Sequence, residues 1–216
     1  MNEMTTTEAL ESMFARYVAC SLPLPAQVLI SAHLSIRDDN RSLVAGLEQV
    51  ASGAPEEIEP FCMSERDRRL EAVFASHASV SSSEAAHHGD MVMPDVLADF
   101  VGYRLQDIPW RTKMPGFREF DIGEFDGCHA SMFWIKPGRT IPAHTHGGME
   151  LSLVLDGAFT DVLGRFGRGD ISIADEHVDH RPVADKSGPC IGFAVVDAPL
   201  KLTGSLTQRI GDILGY

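Results

Sequence analysis

Nowhere in these 216 residues do two cysteines stand at the C-x-x-C spacing of a metal-binding or redox pair. The four cysteines, Cys20, Cys62, Cys128 and Cys190, are scattered, which excludes a zinc finger and a secreted disulfide scaffold and leaves isolated reduced thiols. No apolar run approaches the roughly 20 residues that span a bilayer. Met1 to Thr7 are polar and acidic, with no basic flank leading into an apolar stretch. These absences predict a cytoplasmic chain with no membrane role. Clustered Lys and Arg are missing as well. With 18 basic against 31 acidic side chains the formal charge is −13, which opposes direct binding to nucleic-acid phosphates and suits a basic protein partner.

What is present divides the chain in two. Thr5 and Glu8 have capping-box spacing, and Leu10, Met13, Phe14, Tyr17 and Val18 follow at the three-and-four spacing of one helix face. Pro25 sits where a first helical residue would, opening a second helix with Val28, Leu29, Ala32, His33 and Ile36 on one side. After the break at Asp38, Asp39 and Asn40, a third helix carries Leu43, Val44, Leu47, Val50 and Ala51. Ser64 to about Ser76 reads as a fourth, more charged helix. Residues 1–76 are thus expected to form a small helical bundle. Residues 77–93, rich in Ser, Ala, His and Gly, have the composition of a flexible linker.

From residue 94 onward, after a short helical lead-in at Pro94 to Val101, the period changes to two. Ser131 to Ile135 and Glu150 to Leu155 alternate as strands do, punctuated by Pro-Gly, Asp-Gly and Gly-Asp turns, which predicts a sandwich or barrel over 94–216. The expected fold class is therefore α+β in two domains.

Chemistry concentrates between Pro137 and Gly157. Strand side chains alternate, so His144 and His146 share a face, and the Gly147-Gly148 kink lets Glu150 join them. Two imidazoles and a carboxylate suit zinc, iron(II), manganese or nickel, whereas calcium demands more oxygen ligands. A further ligand is expected from the histidines of the stretch Asp170 to Val183. Burying such a cluster unpaired would be costly, and a metal satisfies its members together.

The spacing of Gly138, His144, His146, Glu150 and Gly157 resembles the first cupin motif without a departure. The second motif is looser, with Asp175 and His177 in place of its proline and glycine, and its histidine aligns with His180. The resemblance implies a jelly-roll barrel and the ligand set His144, His146, Glu150 and His180 around one divalent metal, with His177 as the turn residue. His129 is read as a structural histidine.

The chain as a whole resembles the ChrR family of bacterial anti-sigma factors. The likeness is carried by Tyr17-Val18-Ala19, Ser31-Ala32-His33-Leu34-Ser35, Leu47-Glu48-Gln49-Val50, Asp99-Phe100-Val101-Gly102, Trp110-Arg111 and Asp197-Ala198-Pro199-Leu200. It implies a helical domain that holds an ECF sigma factor and a metal-binding cupin that senses oxidative stress such as singlet oxygen. The family's helical domain carries zinc through a histidine, a cysteine four residues on, a second cysteine three further and an N-terminal histidine. Here His33 keeps its place, Arg37 and Asn40 occupy the cysteine positions, and no histidine precedes residue 33. Arginine does not ligate zinc, so no structural zinc is expected there and His33 is read as an ordinary helix-face residue.

Two readings of other classes use the same residues. One is a metal-dependent cupin enzyme of dioxygenase or isomerase type, with no assignable catalytic base and with Glu176, Asp179 and Arg181 as neighbouring polar groups. The other is a small-ligand-binding cupin with Met132, Phe133, Trp134 or Met149 lining an apolar pocket. Cupins commonly pair barrel to barrel, so a homodimer is a family-based expectation.

Overall fold

A computed structural model describes residues 6–53, 63–75 and 92–214. Thr5 of the expected capping box, the acidic link after residue 53 and nearly all of the expected linker lie outside them.

Among the described residues four α-helices come first: α1 (Thr6–Val18), α2 (Leu24–Ile36), α3 (Arg41–Gly53) and α4 (Arg66–Ala75). Pro25 stands in the first turn of α2, where its missing N–H costs nothing. The N–H of Leu24, one of the donors a helix start leaves unpaired, instead reaches Asp126 Oδ2 at 2.9 Å, in a hairpin turn of the sheet region. A short α5 (Asp95–Val101) ends on Gly102 in the left-handed conformation, φ 77°.

Eleven strands follow: β1 (Arg111–Met114), β2 (Phe117–Phe125), β3 (Cys128–Ile135), β4 (His144–His146), β5 (Glu150–Asp156), β6 (Ala158–Asp161), β7 (Gly164–Gly167), β8 (Ile171–Ala174), β9 (Val183–Ala184), β10 (Cys190–Val196) and β11 (Leu200–Leu202). A final helix, α6 (Leu206–Leu214), closes the described chain. The β2–β3 hairpin turns on Asp126 and Gly127, both at positive φ (51° and 78°), as a two-residue turn with right-handed strand twist requires.

The expected closed barrel is not what forms. The strands make an antiparallel sheet of six in the order β1-β2-β3-β10-β5-β8, a sheet of three, β7-β6-β9, and a pair, β11-β4. Among the described residues no ladder joins β1 to β8, so the large sheet keeps two edges and the sheets are layered over one another without closing. Local alternation is the same in an open and a closed sheet, because closure depends on pairings between distant strands.

Among the described residues, the helices share their core with the large sheet. Phe14, Leu29, Ile30 and Val44 from α1, α2 and α3 belong to the same buried cluster as Met132, Leu151, Leu153, Phe193 and Val195 of the large sheet. Helix α2 lies against β10 and β5, and α1 against β8. Met93, at the end of the expected linker, is fully buried in this cluster. Alternation on β3 and β5 then turns Phe133, Ile135 and Val154 to the opposite face, where a second cluster includes Phe159 and Phe166. The large sheet is thus covered by helices on one face and looks toward the cupin motif on the other.

Candidate metal centre

Three segments deliver the four side chains. His144 and His146 are the ends of the three-residue β4, with Thr145 pointing away between them. Glu150 opens β5, across a bend at Gly147 and Gly148. A Cβ on Gly148 would stand 2.0 Å from Asp197 Oδ1, so a larger residue there would displace the carboxylate that accepts the Met149 N–H. His180 lies in the segment before β9 and pairs with His144 backbone to backbone, its N–H donating to the His144 carbonyl and its carbonyl accepting from the His144 N–H, each at 3.0 Å.

One ligand atom from each of these residues falls within 4.8 Å of all the others. His146 Nε2 stands 2.7 Å from Glu150 Oε2 and 3.2 Å from His180 Nε2, and His180 Nε2 is 3.5 Å from the same oxygen. The 2.7 Å contact lacks the alignment of a hydrogen bond, and Glu150 Oε2 is buried without one. Several lone-pair atoms therefore converge on one point. The cluster is able to coordinate a divalent metal, and its nitrogen and carboxylate donors fit zinc or a neighbouring transition metal.

The surroundings fix which atoms face inward. His144 Nδ1–H donates to the Pro142 carbonyl at 2.7 Å, leaving Nε2 for the cluster. His180 Nδ1 is held by Asp161 Oδ2 at 2.9 Å, and the Asp161 side chain is wholly buried. Ser152 Oγ donates to Glu150 Oε1 at 3.0 Å. Such outer partners orient imidazole and carboxylate ligands.

Electrostatics agree. Burial pulls the His144 imidazole below its usual range. Burial also opposes charge on His180, yet the carboxylates of Asp161 and Glu150 outweigh it and raise its pKa to about 9. For Glu150 burial favours the neutral acid, but the imidazoles of His146 and His180 close beside it prevail and hold the carboxyl far below its usual range.

All four sequence-predicted ligands are brought together. Asp161 was not foreseen. It ends β6, 19 residues before His180, and reads in sequence as a turn carboxylate, which it also is: its Oδ1 accepts the Leu163 N–H at 2.9 Å. The expected neighbours serve elsewhere. Asp179 accepts from Thr203 Oγ1 at 2.6 Å, Arg181 pairs with the buried Asp212 of α6, and Glu176 is exposed, offering its backbone carbonyl to Thr145. His177 is an exposed turn residue, and His129 lies 3.7 Å from Asp121. Of the expected pocket residues, Phe133 faces a cavity beside the cluster; Met132 is buried on the helix side, Met149 packs against the same core and Trp134 lies under the Arg118 guanidinium.

His33 is no ordinary helix-face residue. It is 2% exposed, and Nδ1–H donates to the Gly169 carbonyl at 2.7 Å, in the turn before β8. A carbonyl can only accept, so Nε2 is the free lone pair, and Asn40 Nδ2 donates to it at 2.9 Å. Arg37 forms ion pairs with Asp39 and with Asp170. His33 and Arg37 thus bind the sheet region, and Asn40 binds His33.

Comparison with known proteins adds the context. Residues 99–197 match the model of the ChrR cupin-like domain. The anti-sigma-E factor ChrR of Cereibacter sphaeroides is 36% identical over 201 residues, 93% of each chain. The crystal structure of Rhodobacter sphaeroides SigE in complex with the anti-sigma ChrR superposes with a TM-score of 0.74 at 34% identity, covering 87% of this chain and 96% of that one.

Proposed function

Since the chain belongs to the ChrR family of anti-sigma factors, we propose that it binds an ECF sigma factor through its helical region and carries one zinc ion at His144, His146, Glu150 and His180 as the sensing centre. The observation that supports this most is the reach of the likeness, which runs through the helices as well as the cupin-like part. A partner that works on RNA polymerase also sets the place of action, the cytoplasm.

The helical region has the means to hold a protein. Phe74 on α4 is 84% exposed and Val50 on α3 is 78% exposed, although both fall on the apolar stripes of their helices. Large apolar side chains left open in this way suit the centre of an interface. The net charge of −13 favours a basic partner surface and speeds encounter with it. With His33 engaged by Gly169 and Asn40, this reading assigns no second zinc to the helices.

The test is association of the purified chain with the ECF sigma factors of its source organism, followed by calorimetry and by inhibition of transcription from the matching sigma-dependent promoter. Binding is expected, and Phe74→Ser together with Val50→Ser should weaken it by about tenfold or more. A full-length chain that neither binds nor inhibits would overturn the proposal.

A further inference from the structure

Beside the metal cluster, on the face of the large sheet turned away from the helices, lies a cavity of about 900 Å³. Its floor is one lateral row of small side chains in register across four strands. Ser131 of β3 stands opposite Ala194 of β10, Ala194 opposite Ser152 of β5, and Ser152 opposite Ser172 of β8. With strands about 4.8 Å apart, that floor is about 14 Å across. The volume is that of a pocket for a small organic molecule.

The next row shows how the space is kept open. Phe133 faces Gly192, and a Cβ on Gly192 would stand 2.2 Å from the Phe133 ring. The ring therefore folds over the glycine and becomes a wall, joined by Phe117, Phe159, Ile141 and Leu202. His146, 4% exposed, lines the same space and its Nδ1 has no hydrogen-bond partner among the described residues.

Charge narrows the choice of occupant. Among the described residues, the charged lining groups away from the cluster are Lys113, Glu119, Glu124 and Asp197, with no arginine; Lys113 is committed to Glu119 at 2.8 Å. An anion would pass an acidic rim and find no free cation beyond the metal. A sugar would find few polar partners, since Ser152 already donates to Glu150. An uncharged apolar body with one oxygen donor meets neither objection.

We propose that this cavity binds an uncharged, lipophilic molecule that turns one hydroxyl or carbonyl oxygen toward the His144, His146, Glu150 and His180 cluster and lays its apolar body over the Ser131, Ala194, Ser152 and Ser172 row. The inference rests on the metal reading above and gives the sensing centre a chemical class of ligand.

The test is equilibrium dialysis of full-length, zinc-loaded protein against octan-1-ol, octan-2-one, octanoate and octyl phosphate, with metal content measured on the same samples. The alcohol and the ketone should bind about tenfold or more tightly than the two anions. Ala194→Leu and, separately, Ser131→Leu should each abolish that binding with zinc content unchanged; two variants guard against one that misfolds. Equal or tighter binding of octanoate or octyl phosphate overturns the proposal, as does alcohol binding that survives both substitutions. If neither the alcohol nor the ketone binds while zinc is fully loaded, this inference alone is defeated. Failure to load zinc at all defeats the metal reading beneath it.

Discussion

His33 of α2 and Gly169 before β8 are 136 residues apart in sequence and joined by a buried 2.7 Å hydrogen bond. Gly169 has φ +84°, and a Cβ there would meet Arg37 Cγ at 2.6 Å. The end of α2 therefore sits against the turn as closely as backbone allows. The helix is fixed at its start too, through Leu24 and Asp126, so one end of α2 is tied to the β2–β3 hairpin and the other to the turn that links β7 to β8.

Removing the imidazole should show which tie matters. His33→Ala strands the Gly169 carbonyl and the Asn40 amide in a buried place, and a loss of about 1–3 kcal/mol is expected from urea unfolding. Asp170→Asn, at an ion pair whose side chains are 37% and 35% exposed, should cost only about 0–1 kcal/mol. The reverse order would make Arg37 and Asp170 the principal joint.

At the metal centre, Asp161→Asn weakens the hold on His180 without touching a ligand. Zinc affinity, read by competition with a chromogenic chelator, should fall by about 10–100-fold. Asp179→Asn, next to His180 in sequence but bonded to Thr203, should leave it unchanged. Equal effects of the two would show that Asp161 has no special part.

Because His180 in the metal-free protein has its pKa raised to about 9, it is protonated at neutral pH and must lose that proton to ligate. Zinc binding at pH 7 should therefore release about one proton, and affinity should drop by about tenfold for each pH unit below 9. Calorimetry in buffers of different ionisation heat measures the release directly; a value near zero would contradict the Asp161 and Glu150 pairing.

The thiols should divide by burial. Cys190 is fully buried, and burial pushes its pKa up to about 12; Cys128 is also buried and raised, while Cys20 is exposed. Brief alkylation at pH 8 with peptide mapping should mark Cys20 in the native protein and reach Cys190 only after unfolding. Native labelling of Cys190 at the rate of Cys20 would show an open path to it.

How much of this was legible in sequence follows the range of the interactions. The helices declared themselves through local spacing, and Pro25 marked the start of α2 to within one residue. The four clustered side chains were legible because a short motif and a strand period suffice to place them. Barrel closure was misread because β1 and β8 are edges only in relation to strands far along the chain. Asp161, the burial of His33 and α6 packing its Asp212 against Arg181 depend on partners 19, 136 and 31 residues away, and no local pattern carries that information.

The large sheet has one further consequence. Glu150 belongs to the metal cluster, and the next residue, Leu151, is buried in the core shared with the helices. Chemistry and grip are therefore back to back, separated by a single peptide bond rather than by the length of a domain. A message from one to the other has no corridor to travel: a tilt of β5 that relaxes the carboxylate on one side is the same motion that shifts the leucine on the other.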